Sequence, residues 1–70
     1  MNAERVYKTV KEMFYHMDEI CEDYIIYLVG FEGFYVLIEN GLLESRGVID
    51  GRKTYALRDD KLGELYGRQF

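Results

Sequence analysis

The chain has 70 residues, 49% of them hydrophobic and 16% aromatic, and a formal net charge of −4. That composition excludes disorder and describes one small domain, near the size at which a single core supplies only roughly 3–5 kcal/mol, so self-association is expected. A single cysteine excludes an internal disulfide framework and a cysteine-rich zinc site, and it suits a reducing compartment.

Asn2 is suited to cap a helix, with Glu4 favourably placed in its first turn. Val6, Val10, Met13, Met17, Ile20 and Tyr24 then recur at alternating spacings of four and three, which predicts one helix of about 20 residues with a continuous apolar stripe. Tyr7, Phe14 and Cys21 widen the stripe. Two fates compete for it: burial against the domain's own core, or a seam between two subunits built on Val6, Val10, Met13 and Met17. His16 has no Cys or second His near it and reads as an ordinary surface residue, so neither a metal nor a cofactor is expected.

Residues 24–29 fit a buried strand by their β-branched and aromatic content, and equally the second helix of a helical core. Gly30-Phe31-Glu32-Gly33 predicts a turn, because two glycines so close together weaken a helix by roughly 1 kcal/mol each. It is not a phosphate-binding loop, since no Lys-Ser or Lys-Thr follows. Rigid aromatics dominate interface hot spots, so Phe31, Phe34 and Tyr35 with Glu32 are the candidate protein-interface residues, with core burial as the competing fate of each aromatic.

A helix carrying Phe34, Leu37 and Ile38 should stop at Asn40-Gly41, where glycine can take the left-handed conformation that ends a helix. Leu42 and Leu43 return the chain to the core. Two strands follow, at about residues 44–49 and 52–57, joined by Asp50-Gly51, which suits the positive φ angles of a type I′ hairpin turn. Asp59 is an acceptable N-cap for a last short helix in which Leu62, Leu65 and Tyr66 share a face, docked on the N-terminal helix; residues 67–70 fray unless Phe70 is pinned.

The charge is segregated. No Lys or Arg occurs between Glu12 and Ser45, a window holding Glu12, Asp18, Glu19, Glu22, Asp23, Glu32, Glu39 and Glu44. The basic residues gather at the start of the chain, as Arg5, Lys8 and Lys11, in the hairpin, as Arg46, Arg52, Lys53 and Arg58, and beyond it, as Lys61 and Arg68. The acidic window is either a solvated face that keeps an apolar domain in solution or part of a binding surface.

The string LIENGLLESRGVIDGRKTYALRD resembles the end of the DNA-binding domain in winged-helix repressors of the arsenic-repressor, PadR and MarR types. Those domains typically show a leucine-rich recognition helix ending in Gly-Leu, a charged strand, a wing rich in Gly, Asp and Arg, and a Tyr-x-Leu strand. The matching positions are Leu37, Gly41, Leu42, Arg46, Asp50, Gly51, Arg52, Tyr55 and Leu57, within residues 34–66. The resemblance implies an α+β, winged-helix-like domain over residues 1–70: a long N-terminal helix, a central helical region, a two-stranded wing and a short C-terminal helix. Two features depart from the family pattern. Upstream there is no clear sequence of helix, turn and polar helix start, and the segment that should read bases, YLVGFEGFYVLIEN, is nearly without polar side chains, whereas base readout needs Arg, Asn, Gln or Ser.

Two functions follow as expectations. One is a small winged-helix-like regulator, an inhibitor or adaptor, that binds a protein partner through its aromatic and acidic surfaces; its size and balance are common among regulators encoded by mobile elements. The other is a dimeric transcriptional regulator whose Arg46, Arg52, Lys53 and Arg58 contact DNA phosphates, which positions a domain but carries no sequence information. A purely structural assembly piece is a third. Catalysis is not expected, because one His, one Cys and little volume for a concave site leave no credible acid-base pair. No charged leader precedes an apolar run, and the longest such run, residues 24–31, is too short to span a bilayer, so a cytoplasmic protein without membrane contact is expected.

Overall fold

A computed structural model describes residues 2–66 of the chain. In order they form α1 (Ala3–Phe14), β1 (Ile20–Cys21), α2 (Glu22–Glu39), β2 (Leu43–Ile49), β3 (Arg52–Leu57) and α3 (Asp59–Tyr66).

Helix α1 starts where Asn2 predicts. Its side-chain oxygen accepts from the backbone N–H groups of Glu4 and Arg5 at 2.8 and 3.3 Å, satisfying two of the donors that a helix start leaves open. The helix ends at Phe14 after 12 residues, well short of the predicted length. The regular stripe does not belong to one helix: Ile20 reaches the core from a strand and Tyr24 opens the next helix. A spacing of three and four is met on both sides of the break, so periodicity could not see it.

Residues 24–29 are helical, and the predicted four-residue turn is a single residue. Gly30 breaks α2 with φ 77° and ψ 172°, a backbone conformation essentially restricted to glycine. Gly33 lies beyond the break, inside the second limb (residues 31–39), and is buried. A Cβ at Gly33 would fall 2.7 Å from the Val29 Cβ, so the sharp turn at Gly30 depends on a second glycine that lets the two limbs approach. The second limb ends in a Schellman arrangement: Gly41, at φ 69°, donates to the Ile38 carbonyl and Leu42 to the Leu37 carbonyl, both at 3.0 Å. Leu37 and Leu42 are both fully buried beneath it.

The hairpin forms as its sequence predicts, with Ile49 opposite Arg52 and the turn carried by Asp50 at φ 52° and Gly51 at φ 78°, the signs of a type I′ turn. A bulge between Ser45 and Gly47 interrupts the ladder. The short β1 adds a third strand, giving the antiparallel order β1-β3-β2. The central strand holds Tyr55, paired with Ile20 on one side and Ser45 on the other. Its hydroxyl donates to Glu22 at 3.0 Å and so ties the sheet to the start of α2.

Asp59 does not cap α3. Leu62 donates its N–H to the Arg58 carbonyl, which puts Asp59 in the first turn, and the Asp59 carboxylate instead accepts from the Tyr7 hydroxyl and from Lys11 at 2.5 Å. This clasp and the buried Leu62 fix α3 against α1. The expected roles of the Leu65 and Tyr66 side chains, and of Phe70, lie outside the described residues.

One apolar core joins all layers: Val6, Tyr7 and Val10 of α1, Ile20 of β1, Ile25, Phe34 and Leu37 of α2, then Leu42, Leu43, Tyr55 and Leu62. Helix, short strand, two helical limbs, hairpin and final helix make an α+β, winged-helix-like architecture, with the second limb in the position that a recognition helix occupies. Among the described residues no helix is long and apolar enough to cross a membrane.

Candidate protein-interaction face

The second limb of α2 divides its residues sharply. Gly33, Phe34 and Leu37 face the core, and Phe31, Glu32, Tyr35, Ile38 and Glu39 face outward. Phe31 is 66% exposed and Tyr35 56%, which places two of the three predicted interface aromatics on open surface. Phe34 is different: it is 6% exposed, with its ring edge-on to Tyr55 at 5.6 Å between centroids. It is a core residue, because position 34 shares its face with Leu37, above the central strand. Ile38, which the sequence groups with Phe34 and Leu37, takes the outward place. The spacing that finds it is 31, 35, 38, one turn apart along a single stripe.

At about 100° per residue, Ile38, Phe31 and Tyr35 cover roughly 60° of the helix surface, and Glu39 and Glu32 cover roughly the next 60°. The outer face is therefore an apolar band with an acidic edge on one side. Neither glutamate has an ion-pair partner among the described residues. No Lys or Arg lies on this limb.

The wing contrasts with it. Arg46 contacts Glu44 at 2.9 Å and Glu19 at 3.9 Å, Arg52 contacts Asp23 at 3.5 Å, and Arg58 contacts Asp60 at 3.0 Å. Three of the four basic residues expected to meet DNA phosphates are thus matched by carboxylates of the same chain; Lys53 has no ion pair among the described residues. The apolar Val48 and Ile49 are exposed near the hairpin tip.

The proposed subunit seam is split. Val6 and Val10 are buried in the protein's own core, and only Met13 and Met17 of that set are exposed. The reason is the break after Phe14, which removes Met17 from the helix. Met13 instead joins Phe14, Tyr24, Tyr27 and Leu28 around an open, wholly apolar depression, with Tyr27 92% exposed at its side.

The strongest electrostatic feature lies elsewhere, in the clasp of Tyr7, Lys11 and Asp59. Burial, followed by the hydrogen bond to Asp59, pushes the Tyr7 hydroxyl far above its ordinary value. Burial acts to raise the Asp59 carboxyl as well, but the Lys11 ammonium and the Tyr7 hydroxyl outweigh it and hold the group below the ordinary value of 3.8. Nothing in the sequence signals this contact, whose partners are 52 and 48 positions apart. Among the described residues, no group of three or more His, Cys, Asp or Glu side chains is placed to hold a metal ion.

Compared with protein-family models, curated proteins and solved structures, the chain finds no match in any of the three. The class stands on the geometry alone: an α+β, winged-helix-like domain whose recognition-position helix presents aromatics and carboxylates.

Proposed function

We propose that this protein is a small non-enzymatic regulator, an inhibitor or adaptor, that binds a protein partner through the outer face of residues 31–39. The observation that carries this reading is the exposure of Phe31, Tyr35 and Ile38 on the helix where a DNA reader needs basic and hydrogen-bonding side chains. Aromatic anchors on a rigid helix suit the helix-in-groove mode, in which residues one turn apart fill successive pockets. The helix is held rigid by the cap at Gly41 and by Phe34 and Leu37 beneath it.

The alternative, a dimeric transcriptional regulator touching DNA through Arg46, Arg52, Lys53 and Arg58, draws its support from Lys53, which has no ion pair among the described residues. The carboxylates already matched to the other three weaken it, since each would have to be displaced by a phosphate.

The test is affinity capture from a lysate of the cells that carry the protein, with wild type and the Phe31→Ala/Tyr35→Ala double variant as parallel baits. A protein retained by wild type and lost by the double variant, while the variant still unfolds cooperatively, is the expected result. Identical capture by both baits would sink the assignment.

A further inference from the structure

We infer that the groove receiving residues 31–39 is an apolar protein surface with Lys or Arg along one lip only. This inference rests on the protein-binding reading above and adds the chemistry of the partner. The apolar band of Ile38, Phe31 and Tyr35 is bordered by charge on one side, at Glu39 and Glu32; on the other side the helix surface turns into the buried Phe34. A wholly apolar groove closing on this face would strip water from two carboxylates without replacing it, which is strongly unfavourable for an unpaired charge. An acidic lip would repel them.

Among the described residues no cation of the chain pairs with Glu32 or Glu39; Arg5 and Lys53, which have no ion pair, do not meet them. Lys8, Lys11, Arg46, Arg52, Arg58 and Lys61 each meet a carboxylate elsewhere on the surface. Glu12, Asp18, Glu22, Glu32, Glu39 and Asp50 have no ion pair among the described residues, although Glu22 accepts from the Tyr55 hydroxyl. Of these, only Glu32 and Glu39 border an exposed apolar stripe on a helix. With a net charge of −4, the whole protein is also drawn toward a positive surface, and the one-sided edge then fixes which way round the helix sits.

The probes are two synthetic helical peptides that share a leucine stripe and differ in carrying Lys or Glu along one edge. Each is labelled and titrated with the protein at low salt, with binding read by fluorescence anisotropy. Wild type is expected to bind the Lys-edged peptide at least about tenfold more tightly than the Glu-edged one. Glu32→Gln/Glu39→Gln should reduce that preference about fivefold, as expected for two exposed ion pairs. Glu12→Gln/Asp18→Asn makes the same change in net charge away from the face and should leave the preference intact. Phe31→Ala/Tyr35→Ala should weaken both peptides about thirtyfold or more.

A preference that survives Glu32→Gln/Glu39→Gln, or that falls equally with Glu12→Gln/Asp18→Asn, overturns the inference, as does failure of wild type to bind the Lys-edged peptide. Thermal melting of each variant separates lost binding from lost fold. The parent reading is judged by the lysate capture: capture lost with Phe31→Ala/Tyr35→Ala but indifferent to Glu32→Gln/Glu39→Gln removes the basic lip and leaves protein binding standing.

Discussion

The wing and the second limb of α2 are both exposed, and both follow the glycine signals in the sequence, yet they use their side chains in opposite ways. In the wing, Arg46 and Arg52 turn back to Glu19, Glu44 and Asp23, so its charge is largely consumed within the molecule. On the helix, Phe31 and Tyr35 stand in water and Glu32 and Glu39 find no cation among the described residues. Exposure and charge therefore do not by themselves mark an interface. What matters is whether the fold has already matched the group, and in this protein the wing resembles a DNA contact in composition while the helix holds the unmatched chemistry.

The contrast can be broken most severely by removing what holds the helix in place. Leu37 is fully buried under the aromatic face, and Leu37→Ala should destabilise the protein by about 3 kcal/mol in urea unfolding, through lost transfer energy and the cavity left behind. A loss below about 1 kcal/mol would mean that the limb is not anchored as described. Next comes Gly30→Ala, which forces a Cβ onto a backbone at φ 77° and ψ 172° and should cost about 2 kcal/mol.

A smaller effect is expected from the clasp between α1 and α3. Tyr7→Phe removes one partly buried hydrogen bond to a carboxylate and should cost about 1 kcal/mol near neutral pH. Its pH dependence has two signs. Asp59 titrates below its ordinary value of 3.8 in the folded protein, so its contribution is present above pH 3.8 and is lost as pH falls through the depressed folded value. Tyr7 is raised above its ordinary 10.0, so its contribution is intact below pH 10.0 and declines as pH rises beyond it. Urea midpoints measured across pH should lose the alkaline part of this dependence in Tyr7→Phe and the acid part in Asp59→Asn.

The smallest effect belongs to the wing. Arg52 and Asp23 are both more than half exposed, so Arg52→Ala should change stability by no more than about 0.5 kcal/mol, and by less at high salt. A loss as large as that of Tyr7→Phe would show that the wing's ion pairs organise the fold and do not merely neutralise it.

Local chemistry was the part of this structure most legible in the sequence. The Asn2 cap, the Gly41 stop and the Asp50-Gly51 turn each depend on a few adjacent residues, and all three form where the sequence places them. Where an element's extent depended on tertiary contacts, the reading went astray. The apolar period ran through the break after Phe14 because Ile20 satisfies it from a strand, and β1 itself, two residues long, has no local signature. Gly33 resembled part of a turn, although its role is to admit Val29. For the candidate face, the sequence offered Phe31, Glu32, Phe34 and Tyr35, and the fold leaves Phe31, Glu32 and Tyr35 exposed. Which of Phe34 and Ile38 belongs with them depended on the side from which the core approaches the helix. The Tyr7–Asp59 contact, made across nearly the whole chain, could be found only in the folded molecule.

The most direct test of the claim that the recognition-position helix faces protein and not DNA is a titration of the isotope-labelled protein with duplex DNA at low salt, followed by backbone amide shifts. The account predicts that the amides of residues 31–39 stay in place and that those of the wing move at most weakly. Concerted shifts along the helix and wing that saturate and then fade as salt is raised would contradict it, and would return the protein to the DNA-binding regulators that its wing resembles.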